Sequence, residues 1–279
     1  MTTELPNVYQ LTDAGTAPKF NEAFIQGVNA VEGRSPLLVK DGILRPGAVA
    51  LWGEHKWWRT LHKAIEEGRT WYYGDHAYFG RGVFFRVTKD ALQCNGSFFT
   101  DGDRARAALS RLENVSTILK QHKLHDEIKI YDEPKSKKDG FVMICPPSEP
   151  LSERSGFTQA AWIDQAVANV KAVTDRRIVL RMKPKVNTTP APLLKAMEGA
   201  YCAVTYTSNI ATEVMLGGWP VIVGGPHPAD ALGVAKGFDH FEDLPLPDPV
   251  TLRYWAAALC MNQWTLDEIR RGHAWKAIR

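Results

Sequence analysis

The chain has 279 residues, of which 44% are apolar and 23% charged. That ordinary globular composition excludes a disordered, collagen-like or disulfide-stapled chain. Its formal charge of +3, from 34 Lys and Arg against 31 Asp and Glu, suits an anionic partner without requiring one.

No apolar run reaches the roughly 18 residues that span a bilayer, and residues 1–6 lack the basic and apolar stretches of a signal peptide. The expectation is a cytoplasmic protein with no membrane partner. Cys94, Cys145, Cys202 and Cys260 are widely spaced and form no C-x-x-C pair, so they read as structural thiols rather than a zinc or disulfide framework.

In the first half, the pattern predicts strands over 7–11 and 48–52, with a helix over 18–31 between them. A helix over 57–67 and a strand over 69–73 follow. That strand leads into a Gly-bounded loop, Gly74-Asp75-His76. A strand over 82–87 and a long helix over 103–121 complete this half. Residues 132–140 are charged, hold Pro134 and Gly140, and lack an apolar face. They read as a linker, with a long surface loop inside one domain as the alternative.

The second half is more regular. Phe141-Val142-Met143-Ile144-Cys145 is a short continuous apolar run, as in a strand buried on both faces. A Pro-rich rigid loop over 146–150 stops it. Helices are then predicted over 158–174, 190–199, 209–216, 229–236, 249–261 and 265–278. Strands are predicted over 177–182, 202–206 and 221–223. Thr265 and Glu268 have the spacing of a capping box.

Strands alternating with helices demand crossover connections and parallel sheets. The fold class expected is α/β: two Rossmann-like doubly wound domains facing across a cleft. The domains are placed at 1–135 and 140–279, with a C-terminal helix free to cross back.

The densest local signal is Thr207-Ser208-Asn209-Ile210-Ala211-Thr212-Glu213-Val214-Met215-Leu216-Gly217-Gly218-Trp219-Pro220. Ser208 and Asn209 stand where they cap a helix whose first turn suits an anion. Glu213, one turn in, can accept two hydroxyl hydrogen bonds from a diol such as ribose. Arg181, Lys183 and Lys185 follow a strand and would neutralise a phosphate at the same sheet edge, which Ser148 also reaches. The alternatives are a well-capped helix with Glu213 in solvent, and a charged loop that keeps an edge soluble.

The stretch 141–279 resembles the nucleotide-binding half of glycosyltransferases with two facing Rossmann-like domains, the GT-B architecture. The residues carrying the likeness are Ser208 through Glu213, Gly217-Gly218-Trp219-Pro220-Val221-Ile222 and Arg181-Met182-Lys183-Pro184. The resemblance implies a nucleotide-sugar donor, UDP-linked, and no further cofactor. Ser148, Arg181, Lys183, Ser208 and Asn209 would sit at its diphosphate, and Glu213 at its ribose. The motif is shared with sugar-nucleotide epimerases of the same fold.

Residues 45–111 interleave many aromatic rings with eleven Lys and Arg against seven Asp and Glu. That suits a nucleic-acid groove, where cations meet phosphates and rings stack on bases, or else an aromatic core with ordinary surface charge. Trp57 and Trp58, beside Lys56 and Arg59, are the rings hardest to bury. The stretch from Trp71 to Arg81 is similar to segments of small bacteriophage-encoded, DNA-modifying glycosyltransferases. That resemblance implies a hydroxyl-bearing pyrimidine in double-stranded DNA as acceptor, held by Trp57, Trp58, Arg59 and Arg81.

Inverting transfer needs a base for the acceptor proton, and Asp75 is the first candidate, with His76 as partner or alternative. A local Asx turn by Asp75 is the competing use. Asp13 is a weaker candidate, while His55 and His227 also lie in loops and His227 could approach the donor sugar. With no H-E-x-x-H and no cluster of Cys and His, the expectation is a metal-independent reaction. Rival functions are transfer to a surface glycan or small molecule, sugar-nucleotide epimerisation, and non-catalytic nucleic-acid binding.

Overall fold

Continuous apolar runs need a sheet with both faces covered, and two such sheets form. The computed structural model describes residues 4–10, 15–53, 58–124, 128–183 and 192–279, the Trp58 side chain excepted. Strands β1 (Asn7–Tyr9), β2 (Leu38–Val39), β3 (Val49–Trp52), β4 (Trp71–His76) and β5 (Phe84–Lys89) lie in the first part. Strands β6 (Phe141–Cys145), β7 (Ile178–Leu180), β8 (Ala200–Thr205), β9 (Val221–Val223) and β10 (Gln263–Thr265) follow. The helices are α1 (Thr16–Glu32), α2 (Trp58–Glu66), α3 (Gly102–Gln121), α4 (Glu149–Arg154) and α5 (Gln159–Val173). They continue with α6 (Leu193–Ala196), α7 (Ile210–Leu216), α8 (Pro249–Cys260), α9 (Leu266–Arg270) and α10 (His273–Ile278).

The chain divides into two units, one of Met1–Cys94 with Leu259–Arg279, the other of Asn95–Ala258. Residues 132–140, expected as a linker, lie inside the second unit. Tyr131 N donates to Leu216 O at 2.7 Å, Lys135 N to Gly218 O at 2.8 Å and Lys137 N to Ala200 O at 2.9 Å. Polar composition marked that segment as solvated, yet its backbone is tied down.

The first unit holds a six-stranded sheet in the order β10-β5-β4-β3-β1-β2. β2, β1, β3 and β4 run parallel, while β5 and β10 are antiparallel additions. The period-two alternation of strands divides the core. Val8, Ala50 and Tyr72 face α1, α9 and α10 through Phe20, Phe24, Ile269 and Trp275. Tyr9, Val49, Leu51, Trp71 and Tyr73 face α2 through Leu61 and Ala64.

The expected helix over 265–278 is two helices, because Gly272 at φ 81° breaks it. The Thr265 and Glu268 capping box is present. α9 crosses α1 so closely that a Cβ on Gly27 would stand 2.0 Å from Ile269 O, so this crossing requires glycine.

The second unit holds a parallel four-stranded sheet in the order β7-β6-β8-β9. Val142, Ile144, Cys202, Val204 and Ile222 pack against Ala166 and Val170 of α5. At the other end of this face, the Arg176 guanidinium lies over Tyr201 at 4.3 Å and donates to Glu242 Oε2 at 2.6 Å. Within each unit the parallel strands follow the doubly wound order 2-1-3-4. The crossover direction therefore reverses between β1 and β3, and between β6 and β8. Ligands of such sheets bind outside the carboxyl ends of the strands at that reversal.

Candidate functional site

In the second unit, the reversal gathers the residues the sequence singled out. β6 ends at Cys145, and Thr205 Oγ1 at the end of β8 donates to Cys145 O at 2.9 Å. Beyond β6, buried Pro146 and Pro147 lead to half-buried Ser148. The 146–150 segment, expected as a loop only, ends in α4. Pro150 sits in the first turn, where its missing N–H costs nothing. Ser148 is the N-cap, its hydroxyl makes no capping bond, and its carbonyl accepts from Leu151 N and Ser152 N.

Arg181 continues the ladder past β7, its N–H donating to Ile144 O at 2.9 Å. Arg181 is half-buried and Lys183 exposed. Burial pushes the Cys145 thiol up to about 12, Arg181 opposes that shift and Glu213 adds to it. Lys185 lies outside the described residues.

The start of α7 departs from expectation. Asn209 is the N-cap in helical conformation, and its side chain makes no capping bond. Ser208 Oγ only accepts from Ile210 N at 3.4 Å. Ala211 N donates to Ser208 O and Thr212 N to Asn209 O, both at 3.0 Å. Those bonds occupy the first-turn amides that were expected to face an anion, and seven residues give only a small dipole.

His227 is buried, and its Nδ1 accepts from Ala229 N at 3.1 Å as the cap of a 3-10 turn over Pro228–Leu232. A contact the sequence did not reveal is Lys236 Nζ, which donates to Gly225 O at 2.7 Å in the loop after β9. Its signal is weak because Ala235 pairs with Ile222 only as an isolated bridge.

In the first unit, Asp75 and His76 are not in a loop. They are the last two residues of β4, directly opposite Arg86 and Phe85 of β5. Asp75 Oδ2 accepts from Arg86 Nη2 at 2.7 Å and from Tyr73 OH at 3.1 Å, and Oδ1 accepts from His76 N at 2.7 Å. His76 stands edge-on to Trp52 at the end of β3, ring centroids 5.3 Å apart.

Arg59, in the first turn of α2, and Arg81, between β4 and β5, are exposed. Trp57, Asp13 and His55 lie outside the described residues, as does the Trp58 side chain. Trp71, Tyr72, Tyr73, Tyr78, Phe79, Phe84 and Phe85 are core residues, not rings open to bases. The interleaved aromatics are thus mostly packing.

Among the described residues no three His, Cys, Asp or Glu side chains gather as a metal-holding group. Asp101-Gly102-Asp103 does present a D-x-D spacing. It opens α3, with Asp101 as N-cap and Asp103 paired to Arg106. No described helix is long and apolar enough to cross a membrane.

No family model matches the sequence, and no curated protein matches it. The solved structures it matches include two from one protein. One is the beta Kdo 2,7 transferase of Thermosulfurimonas dismutans KpsC, with a TM-score of 0.52 at 12% identity, covering 98% of this chain and 99% of that one. The other is the beta Kdo 2,4 transferase of the same KpsC, with a TM-score of 0.49 at 12% identity, covering 90% and 89%. The chain therefore has the α/β fold with parallel sheets found in a glycosyltransferase.

Proposed function

We propose that this protein is a glycosyltransferase with a nucleotide-sugar donor and a hydroxyl acceptor on a carbohydrate. The observation carrying this reading is the cluster at the β6–β8 reversal. Arg181 N donates to Ile144 O beside the end of β6, Ser148 and Ser208 follow the ends of β6 and β8, and Glu213 lies in α7, the helix after β8. The fold supports it, since the neighbour's printed name is that of a Kdo transferase.

In this reading the two units are the donor and acceptor domains of a GT-B enzyme. Arg181, with Lys183, pairs with donor phosphate, and Ser148 and Ser208 supply hydroxyl donors. Glu213 accepts from the ribose diol, and Asn209 holds the turn between β8 and α7. As the acceptor oxygen bonds to the anomeric carbon, its proton passes to Asp75. The bond from that carbon to the donor phosphate breaks, and the nucleotide leaves with the electron pair, its charge met by Arg181. One displacement of this kind inverts the anomeric centre.

The carbohydrate acceptor is preferred over DNA because the aromatic side chains of the first unit are mostly spent on its core.

The test is incubation with a panel of nucleotide-sugars and three acceptor classes: oligosaccharides, small alcohols and hydroxymethylated DNA. Mass spectrometry and anomeric NMR read the products. Glycosylated oligosaccharide of inverted configuration is expected. Donor turnover without acceptor would indicate an epimerase, and modified DNA would restore the nucleic-acid acceptor.

A further inference from the structure

Asp75, the proposed base, is held by a buried group that the reaction has not used so far. We infer that Arg86 is a positioning residue for Asp75, acting through the carboxylate without touching substrate. This inference rests on the reading of Asp75 as the base. Asp75 and Arg86 are direct partners in the β4–β5 register, so strand pairing alone brings them together. The Arg86 side chain is 5% exposed and that of Asp75 is 29% exposed. The cation is therefore interior and the carboxylate at the rim.

The guanidinium is a planar fork with fixed donor directions. One arm, Nη2, donates to Asp75 Oδ2 at 2.7 Å, and the other, Nη1, donates to Gln93 Oε1 at 2.8 Å. Its carbon lies 5.2 Å from the centre of the Tyr78 ring. Tyr78 OH in turn donates to Gln93 Oε1 at 3.0 Å and accepts from Cys94 N at 3.0 Å. The fork thus sits in a frame that fixes its plane.

A carboxylate offers about four lone-pair positions. Asp75 Oδ2 accepts from Arg86 and Tyr73, and Oδ1 accepts from His76 N. The vacant position is on Oδ1. Arg86 and Tyr73 therefore turn Oδ2 inward and present Oδ1 to the acceptor hydroxyl, the oxygen that receives the proton. A lysine at position 86 would keep the charge but could not span Asp75 and Gln93 in one plane.

The test compares Arg86→Lys, Tyr73→Phe and Tyr9→Phe in the full chain, with kcat, donor KM and melting temperature measured for each. The buried Tyr9 hydroxyl accepts from Arg45 N at 2.7 Å, outside the frame around Arg86, so its loss reports stability alone. Arg86→Lys is expected to lower kcat at least tenfold with donor KM within twofold of wild type. Tyr73→Phe is expected to lower kcat threefold or more, and this variant decides the matter if Arg86→Lys does not fold. Tyr9→Phe is expected to lower the melting temperature and keep kcat within twofold.

Equal kcat losses in Arg86→Lys and Tyr9→Phe at equal melting temperature would make the arginine purely structural. Wild-type kcat in Arg86→Lys, or in Tyr73→Phe where that variant decides, would overturn the inference. If the wild-type protein transfers sugar and Asp75→Asn does so equally well, the base reading fails and this role fails with it. A wild-type protein that transfers nothing overturns the functional reading itself.

Discussion

Trp275 donates its indole Nε1–H to Glu32 Oε1 at 2.7 Å, joining α10 to the last residue of α1. The same indole is buried, edge-on to Phe24 at 5.9 Å and against Tyr72 at 5.0 Å. The end of the chain is thus part of the first unit's core. Trp275→Ala should cost about 3–5 kcal/mol, the usual range for emptying a buried aromatic site. Removing residues 259–279 should abolish the cooperative unfolding of the first unit, because β10, α9 and α10 go together. Urea denaturation followed by circular dichroism checks both.

Acid should weaken each unit at identifiable carboxylates. Glu32 is held below its ordinary value of 4.5 by hydrogen bonds from Trp275 and Arg279, and Glu242 by its bond from Arg176. A carboxylate depressed in the folded state stabilises the fold above its unfolded value and loses that effect as pH falls through its folded value. Stability should therefore be flat near neutrality and decline below about pH 4.5. Glu32→Gln and Glu242→Gln should each lower stability at pH 7 and flatten the acid decline. Denaturant midpoints between pH 7 and pH 3 read this directly.

The thiols should differ sharply in reactivity. Burial pushes both Cys145 and Cys202 up to about 12, so neither is a thiolate at neutral pH. Cys94 is the one cysteine among the four that is not buried. Iodoacetamide at pH 8 should label Cys94 first and leave Cys145 and Cys202 unmodified until the protein unfolds. Peptide mass spectrometry gives the order.

Much of the second unit was legible because its signals are local. The run from Phe141 to Cys145 is the observed β6, and Val221-Ile222-Val223 is the observed β9. The errors arose where distant partners decide. Gln263-Trp264-Thr265 becomes a strand only by pairing with β5, far away in sequence. Gly74-Asp75-His76 has the composition of a turn, since Gly and Asp are poor strand formers. Phe20 of α1 lies where a Cβ on Gly74 would be, 2.3 Å from its Cζ, and Arg86 pairs Asp75 across the ladder. Those contacts hold the segment extended.

The residue types of the candidate site were visible, but their use was not. Ser208 and Asn209 read as caps that leave amides open to a ligand. The carbonyls of these two residues in fact accept the first-turn N–H groups. Sequence gives spacing along α7 and not which acceptor each N–H reaches. Arg181 follows β7 and Glu213 lies in the helix after β8, and β7 and β8 both pair with β6.

Titration calorimetry of nucleotide-sugars into wild-type, Arg181→Ala and Glu213→Ala protein tests the donor edge most directly. Micromolar binding by the wild type is expected. Each variant should weaken it at least tenfold, about 1.4 kcal/mol, while keeping the wild-type melting temperature within a few degrees. Unchanged affinity in both variants, or no heat from any nucleotide-sugar with the wild type, would contradict the assignment of this edge.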